Sequence, residues 1–200
     1  MINFSEAYNR ENFQIFLKDF LPDDYKQSIE EIEIDEKHNY FQKINLFGFV
    51  KSLNNLVVIE VKRKKAQKSR VVIAKELFKF LESNGYSNAL VITYSDRESH
   101  YRFSLITSSL SWTTETKVTK KFSNPKRLSF LLGVGSKVHT ATKHLAVKGK
   151  IKDFNDLRAR FNIEIINDEF YEHYKNLFLN LVEKLDSDTK FSDFAKKINL

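Results

Sequence analysis

Two hundred residues with 42% hydrophobic content and 18 Phe are enough for one hydrophobic core with a small added lobe, and 5 Gly with 2 Pro argue against disorder and loop-rich scaffolds. The absence of Cys excludes a disulfide framework and any thiol-based metal or redox site, and it fits a reducing compartment. The net charge of +7 is uneven: residues 1–60 carry −5, 61–116 carry +5, 117–160 carry +10 and 161–200 carry −3, so basicity starts at Lys62 and suits a polyanion. A solvated basic face is the plainer alternative and stands level with nucleic-acid contact on charge alone. The N-terminus lacks the basic-then-apolar pattern of a signal peptide, and no apolar run approaches the roughly 18 residues needed to cross a bilayer. The expectation is a soluble, cytoplasmic protein with no membrane partner.

In chain order, residues 9–21 predict an amphipathic helix. Phe13, Phe16, Leu17 and Phe20 form one stripe, Asn9 is the candidate N-cap and Pro22 the stop. Residues 31–35 alternate as a half-exposed strand, residues 40–50 predict a second strand, and Ser52 to Asn55 a turn. Leu56-Val57-Val58-Ile59-Glu60-Val61-Lys62 then reads as a buried strand ending in an acid and an amine two residues apart, hence on one face. The basic connection Arg63 to Arg70 leads to a helix over 71–84, closed by Gly85, and to strands over 89–94 and 101–107. Helix, three strands, helix and two strands imply an α/β (α+β) fold with a mixed central sheet flanked by helices.

Beyond residue 110 the pattern weakens. Residues 112–122 are Thr-rich and β-prone, 126–132 are taken as a short helix, and 133–137 form a glycine-bearing loop. A helix over 153–160 has Asp153 as its candidate cap. A long helix over 168–185 carries Phe170, Tyr174, Leu177, Phe178 and Leu181 as a stripe expected to be core rather than a base-stacking platform. The loop Gly133-Val134-Gly135-Ser136-Lys137 lacks P-loop spacing, but its amides could meet a DNA phosphate. The five His show no paired metal-ligand spacing and read as surface or supporting residues.

Acid-x-Lys is a weak string, expected by chance about three times in such a chain. It recurs at Asp24/Lys26, Asp35/Lys37, Glu115/Lys117 and Asp188/Lys190, but only Glu60/Lys62 follows an apolar strand and precedes a helix. That context raises it above an exposed strand end with a cross-strand ion pair. Glu60 and the Val61 backbone carbonyl could offer oxygens to Mg²⁺, and Lys62 could position a water or steady developing charge on a phosphate.

The helix, the strand hairpin carrying Glu60-x-Lys62 and the following helix and strand resemble the core of the PD-(D/E)xK nucleases. Whole segments resemble the N-terminal nuclease region of single-polypeptide type IIG restriction–methylation enzymes. They are Tyr8 to Phe13 with Phe16 to Pro22, Tyr101 to Thr107, Ser123 to Arg127 and Phe130 to Gly133. His139-Thr140, Asp153 to Leu157, Phe161 to Glu164 and Glu169 to Tyr171 complete them, so the likeness runs to about residue 183. It implies a restriction-endonuclease-like catalytic core over 1–110, with a basic extension and C-terminal helices over 111–200 packed on it. It further implies a Mg²⁺-dependent DNA endonuclease of a restriction–modification or related phage-defence system, with Mn²⁺ as a substitute and double-stranded DNA as substrate. Glu60 would then bind metal and Lys62 be the catalytic lysine. Arg63, Lys64, Lys65, Lys68, Arg70, Lys120, Lys121, Lys126 and Arg127 would hold DNA.

Two departures from the family pattern stand out. Such nucleases place an acid on the strand before Glu-x-Lys, whereas no Asp or Glu lies between Lys43 and Ile59. Asn54 or Asn55 sits roughly where it would be; Glu11 or Glu6 from the first helix, or Glu30, Glu31 or Glu33, would have to compensate. Otherwise the chain is a non-catalytic DNA-binding or docking domain that keeps the nuclease fold. The chain also has no S-adenosylmethionine loop or Pro-Pro tetrad, so methylation and sequence specificity would come from a module in another chain or a longer one.

Overall fold

The computed structural model describes residues 2–34, 39–64, 70–108, 110–111, 121–122 and 126–186. Helix α1 (Arg10–Phe20) begins where the Asn9 side chain accepts from the Asn12 amide at 2.9 Å, and it ends at Leu21, whose backbone turns extended before Pro22. Its stripe is buried as the spacing predicts: Phe13, Phe16, Leu17 and Phe20. Strands β1 (Tyr25–Ile32), β2 (Phe41–Val50) and β3 (Leu56–Arg63) form an antiparallel meander. Helix α2 (Arg70–Ser83) crosses over to β4 (Asn88–Tyr94), which lies parallel to β3, and β5 (His100–Thr107) returns antiparallel. The pairs β6 (Leu110–Ser111) and β7 (Lys121–Phe122) form a separate small ladder. Strand β8 (Lys126–Gly133) closes the order β1-β2-β3-β4-β5-β8, a six-stranded mixed sheet.

Two apolar layers cover this sheet. On one face α1 packs with Leu56, Val58, Leu90, Ile92, Phe103 and Leu132; on the other α2 packs with Val57, Ile59, Val61, Ala89 and Val91. Each core Phe here contributes about 1.5–3 kcal/mol of apolar burial, and rings on the α1 face meet edge-on or stacked, as in Phe13–Phe103 at 5.1 Å and Phe16–Phe20 at 5.0 Å. The α1 side is completed by α3 (His139–Ala141), a π-helical turn over Thr142–Val147 and α4 (Phe154–Phe161). Asp153 caps α4, accepting from the Asp156 amide at 2.8 Å, and the buried Arg160 donates to Asp156 and to the Gly149 and Lys150 carbonyls. That guanidinium holds the Asp156 carboxyl below the ordinary range.

Two strand expectations are corrected. Residues 126–132 are strand, not helix: the run lacks a helical breaker, but all eight residues of β8 pair in register with β5, and long-range pairing outweighs local preference. Strand β1 starts at Tyr25 rather than Glu31, because β2 is long enough to pair with the polar lead-in. The boundary expected at residue 110 falls inside a compact unit that extends to Phe161, since β8 and α4 share its sheet and core. The second unit begins at Asn162 and contains α5 (Ile163–Asp186). The α5 stripe expected to be core is exposed: Tyr174, Leu177, Phe178 and Leu181 each show more than half their surface. Helical spacing sets a stripe without saying what covers it. Residues 112–120, expected as β-prone, lie outside the described residues, and no helix among the described residues is long and apolar enough to cross a membrane.

Candidate functional site

Strand β3 alternates, so Leu56, Val58, Glu60 and Lys62 face α1 while Val57, Ile59, Val61 and Arg63 face α2. Glu60 is the one acidic residue of the strand and is fully buried. Counting back from the β2–β3 turn, Val50 pairs with Leu56 and Phe49 with Val57, which in a regular hairpin would set Leu46 opposite Glu60. A β-bulge at Phe47 shifts the register by one, and Asn45 faces Glu60 instead. Gly48 allows this: its φ is +144°, and a Cβ there would stand 2.1 Å from the Lys26 carbonyl of β1.

Four donors converge on the Glu60 carboxylate. Tyr8 Oη donates to Oε1 at 2.7 Å and Arg10 Nε to the same oxygen at 2.9 Å; an Arg10 terminal nitrogen donates to Oε2 at 2.5 Å and Asn45 Nδ2 at 2.6 Å. A carboxylate has about four lone-pair directions, so its acceptor capacity is filled. The Arg10 fork is bidentate, and its guanidinium lies 5.9 Å from the ring of the bulged Phe47. Glu60 raises the Arg10 pKa chiefly through that hydrogen bond. Burial, and then the Glu60 charge, push the Tyr8 hydroxyl well above the ordinary phenol range; the same two causes raise Tyr94. The Tyr8 ring is fixed by Tyr94 at 4.6 Å and Tyr101 at 5.3 Å.

Lys62 shares the Glu60 face but pairs with Asp96 at 2.6 Å, in the loop after β4, and that hydrogen bond raises its pKa. Val61 lies in a strand paired on both sides, opposite Ile44 and Thr93. Asn54 and Asn55 occupy the β2–β3 turn with φ of 57° and 53°, away from Glu60, and Asn54 offers its carbonyl to Asn88. Glu11 is exposed in the first turn of α1. The donor set therefore does not fit Mg²⁺ in this arrangement: the buried carboxylate is saturated by a guanidinium, a phenol and an amide, and the facing residue is Asn45. Among the described residues, no three His, Asp or Glu side chains gather into a metal-holding group.

The residues expected to hold DNA divide. Arg63 is nearly buried: its side chain is 10% exposed and forms an ion pair with Glu98. Lys64 lines a surface cavity with Arg63. Lys126, exposed, and Arg127 open β8, where Lys126 pairs with Thr107 and Thr107 with Asn88. That is the end of the sheet where β3 begins, while Glu60 and Lys62 lie toward its other end. Lys65, Lys68 and Lys120 fall outside the described residues; Arg70 opens α2 and Lys121 lies in β7.

Sequence reasoning missed Tyr8, Arg10, Asn45 and Asp96. The signal for a partner was a lone acid in an apolar strand, since a buried carboxylate requires a cation and hydrogen-bond donors. Which cation answers it depended on where α1 docks. No family model, curated protein or solved structure matches this chain.

Proposed function

We propose that this chain is a nuclease-like domain that binds DNA through its phosphate backbone without cutting it, Glu60 serving to anchor α1 to the sheet. The observation that carries the reading is the filled carboxylate of Glu60, which Asn45 and not an acid faces from the preceding strand. The order of helix, antiparallel three-strand meander, helical crossover and parallel strand supports the restriction-endonuclease-like part of the reading. The charge of +10 over residues 117–160 supports the polyanion. A methyltransferase or specificity module in the same or another chain would supply sequence recognition.

Fluorescence anisotropy with a labelled duplex tests it. Affinity is expected to fall steeply with salt, to weaken in Lys126→Glu/Arg127→Glu, and to be unchanged in Glu60→Gln. Salt-independent binding, or no binding, removes the reading.

A second reading, a Mg²⁺-dependent endonuclease in a restriction–modification setting, is favoured by one observation: Glu60 and Lys62 share a face beside a parallel strand. Nicking of plasmid in Mg²⁺ or Mn²⁺ by the parent, lost in both Glu60→Ala and Lys62→Ala, would establish it against the first.

A further inference from the structure

The α2-facing side of β3 ends in Arg63, whose surroundings differ from those of Glu60. Arg63 and five neighbours line a surface cavity of about 470 Å³: Gln42, Lys64, Ser95, Asp96 and Arg97. Two strand ends and one bulge assemble it. Phe41 pairs with Arg63 and Lys43 with Lys62, so Gln42 is the extra residue of a second bulge in β2; Ser95, Asp96 and Arg97 form the loop that leaves β4. Among the described residues no apolar side chain lines the cavity, so they offer no platform for a ring or an alkyl chain.

The charges favour an anion. Arg63, Lys64 and Arg97 stand against Asp96, and Asp96 is itself matched by Lys62; Glu98 answers Arg63 from one side only. The decisive detail is Arg63 itself. One terminal nitrogen is committed to Glu98, yet among the described residues the Nε of this nine-tenths-buried guanidinium has no hydrogen-bond partner. An orphaned buried donor is costly unless a ligand answers it, and a guanidinium edge matches two oxygens of a tetrahedral oxyanion.

We infer that this cavity is a phosphate site: Arg63 receives two phosphate oxygens from the buried side, Lys64 and Arg97 neutralise the group from the rim, and Gln42 and Ser95 supply neutral hydrogen bonds. The same chemistry is presented by a nucleic-acid backbone and by a free or small-molecule phosphate. The inference does not require the DNA reading above, because inorganic phosphate alone probes it.

The experiment is a thermal-shift and calorimetric titration of the full chain with inorganic phosphate, ionic strength held constant with chloride. Phosphate is expected to raise Tm where chloride does not. Arg63→Gln is expected to weaken phosphate binding about tenfold or more, and Arg97→Gln several-fold. Lys79→Gln, on the exposed side of α2, is expected to titrate as the parent. Arg97 is exposed, so its variant carries the test even if Arg63→Gln fails to fold. Loss of phosphate binding and of duplex affinity together in Arg97→Gln assigns the site to backbone phosphate; loss of phosphate binding alone assigns it to a small phosphorylated ligand. Phosphate no more stabilising than chloride, or Arg97→Gln titrating as the parent, overturns the inference.

Discussion

Glu60 and Arg63 stand three residues apart on β3, point to opposite faces of the sheet, and are satisfied to different degrees. Glu60 is fully buried and meets donors at every acceptor position; Arg63 is nearly as buried and keeps a donor unanswered beside an open cavity. The difference follows from what covers each face. The start of α1 delivers Tyr8 and Arg10 onto Glu60, whereas among the described residues only Glu98 of the β4–β5 loop pairs with Arg63. A saturated buried charge reads as architecture and an unsaturated one as a binding group, although both are charged residues on one strand.

Breaking the saturated side should have the largest effect. Arg10→Ala leaves Glu60 buried without its cation; loss of one partner of a buried pair costs about 3–5 kcal/mol, reduced to about 2–4 because the Arg10 side chain is 40% exposed and water can enter. Urea unfolding measures it, and a loss under 1 kcal/mol would mean that Glu60 is not dependent on the pair. Asn45→Asp is next. It replaces a donor with a second carboxylate facing Glu60, and an unanswered buried acceptor costs about 1–3 kcal/mol. If the facing position is what separates this site from a metal site, millimolar Mn²⁺ should recover part of that Tm loss in the variant and leave the parent unmoved.

Tyr8→Phe removes one hydrogen bond to a charged group, worth about 1.5–3 kcal/mol at neutral pH. Its pH dependence has a definite sign. Because the folded-state pKa of Tyr8 is raised, its stabilisation is full below the unfolded value of about 10 and is lost as pH climbs toward the folded one. Tyr25, raised to about 12 by burial, adds a loss of the same sign in parent and variant alike. The stability gap between parent and Tyr8→Phe, followed by urea titration from pH 8 to 11, should therefore narrow with rising pH; a constant gap would sever Tyr8 from Glu60. The smallest effect belongs to Lys79→Gln, an exposed pair with Glu76, for which no shift in the urea midpoint is expected.

Two helices show what a stripe can and cannot foretell. In α1 the spacing of Phe13, Phe16, Leu17 and Phe20 named the buried residues, because a sheet face of matching apolar residues lies beneath it. In α5 the spacing of Tyr174, Leu177, Phe178 and Leu181 was as regular, and those residues are exposed. The same limit explains β8, whose strand state depends on β5 as a template.

The sequence by itself determined the meander, the crossover and the common face of Glu60 and Lys62, because each follows from local periodicity: 3.6 residues in α1 and α2, two residues in β3. Tertiary structure decided which residue faces Glu60. A single bulge at Phe47, made possible by the close approach of Gly48 to β1, moves Asn45 into the place that straight counting would give to Leu46. The docking of α1 then brought Arg10 to that carboxylate, and the second bulge at Gln42 helped to open the cavity beside Arg63. A one-residue register shift exchanges faces and neighbours along a strand, and nothing in local propensity records it.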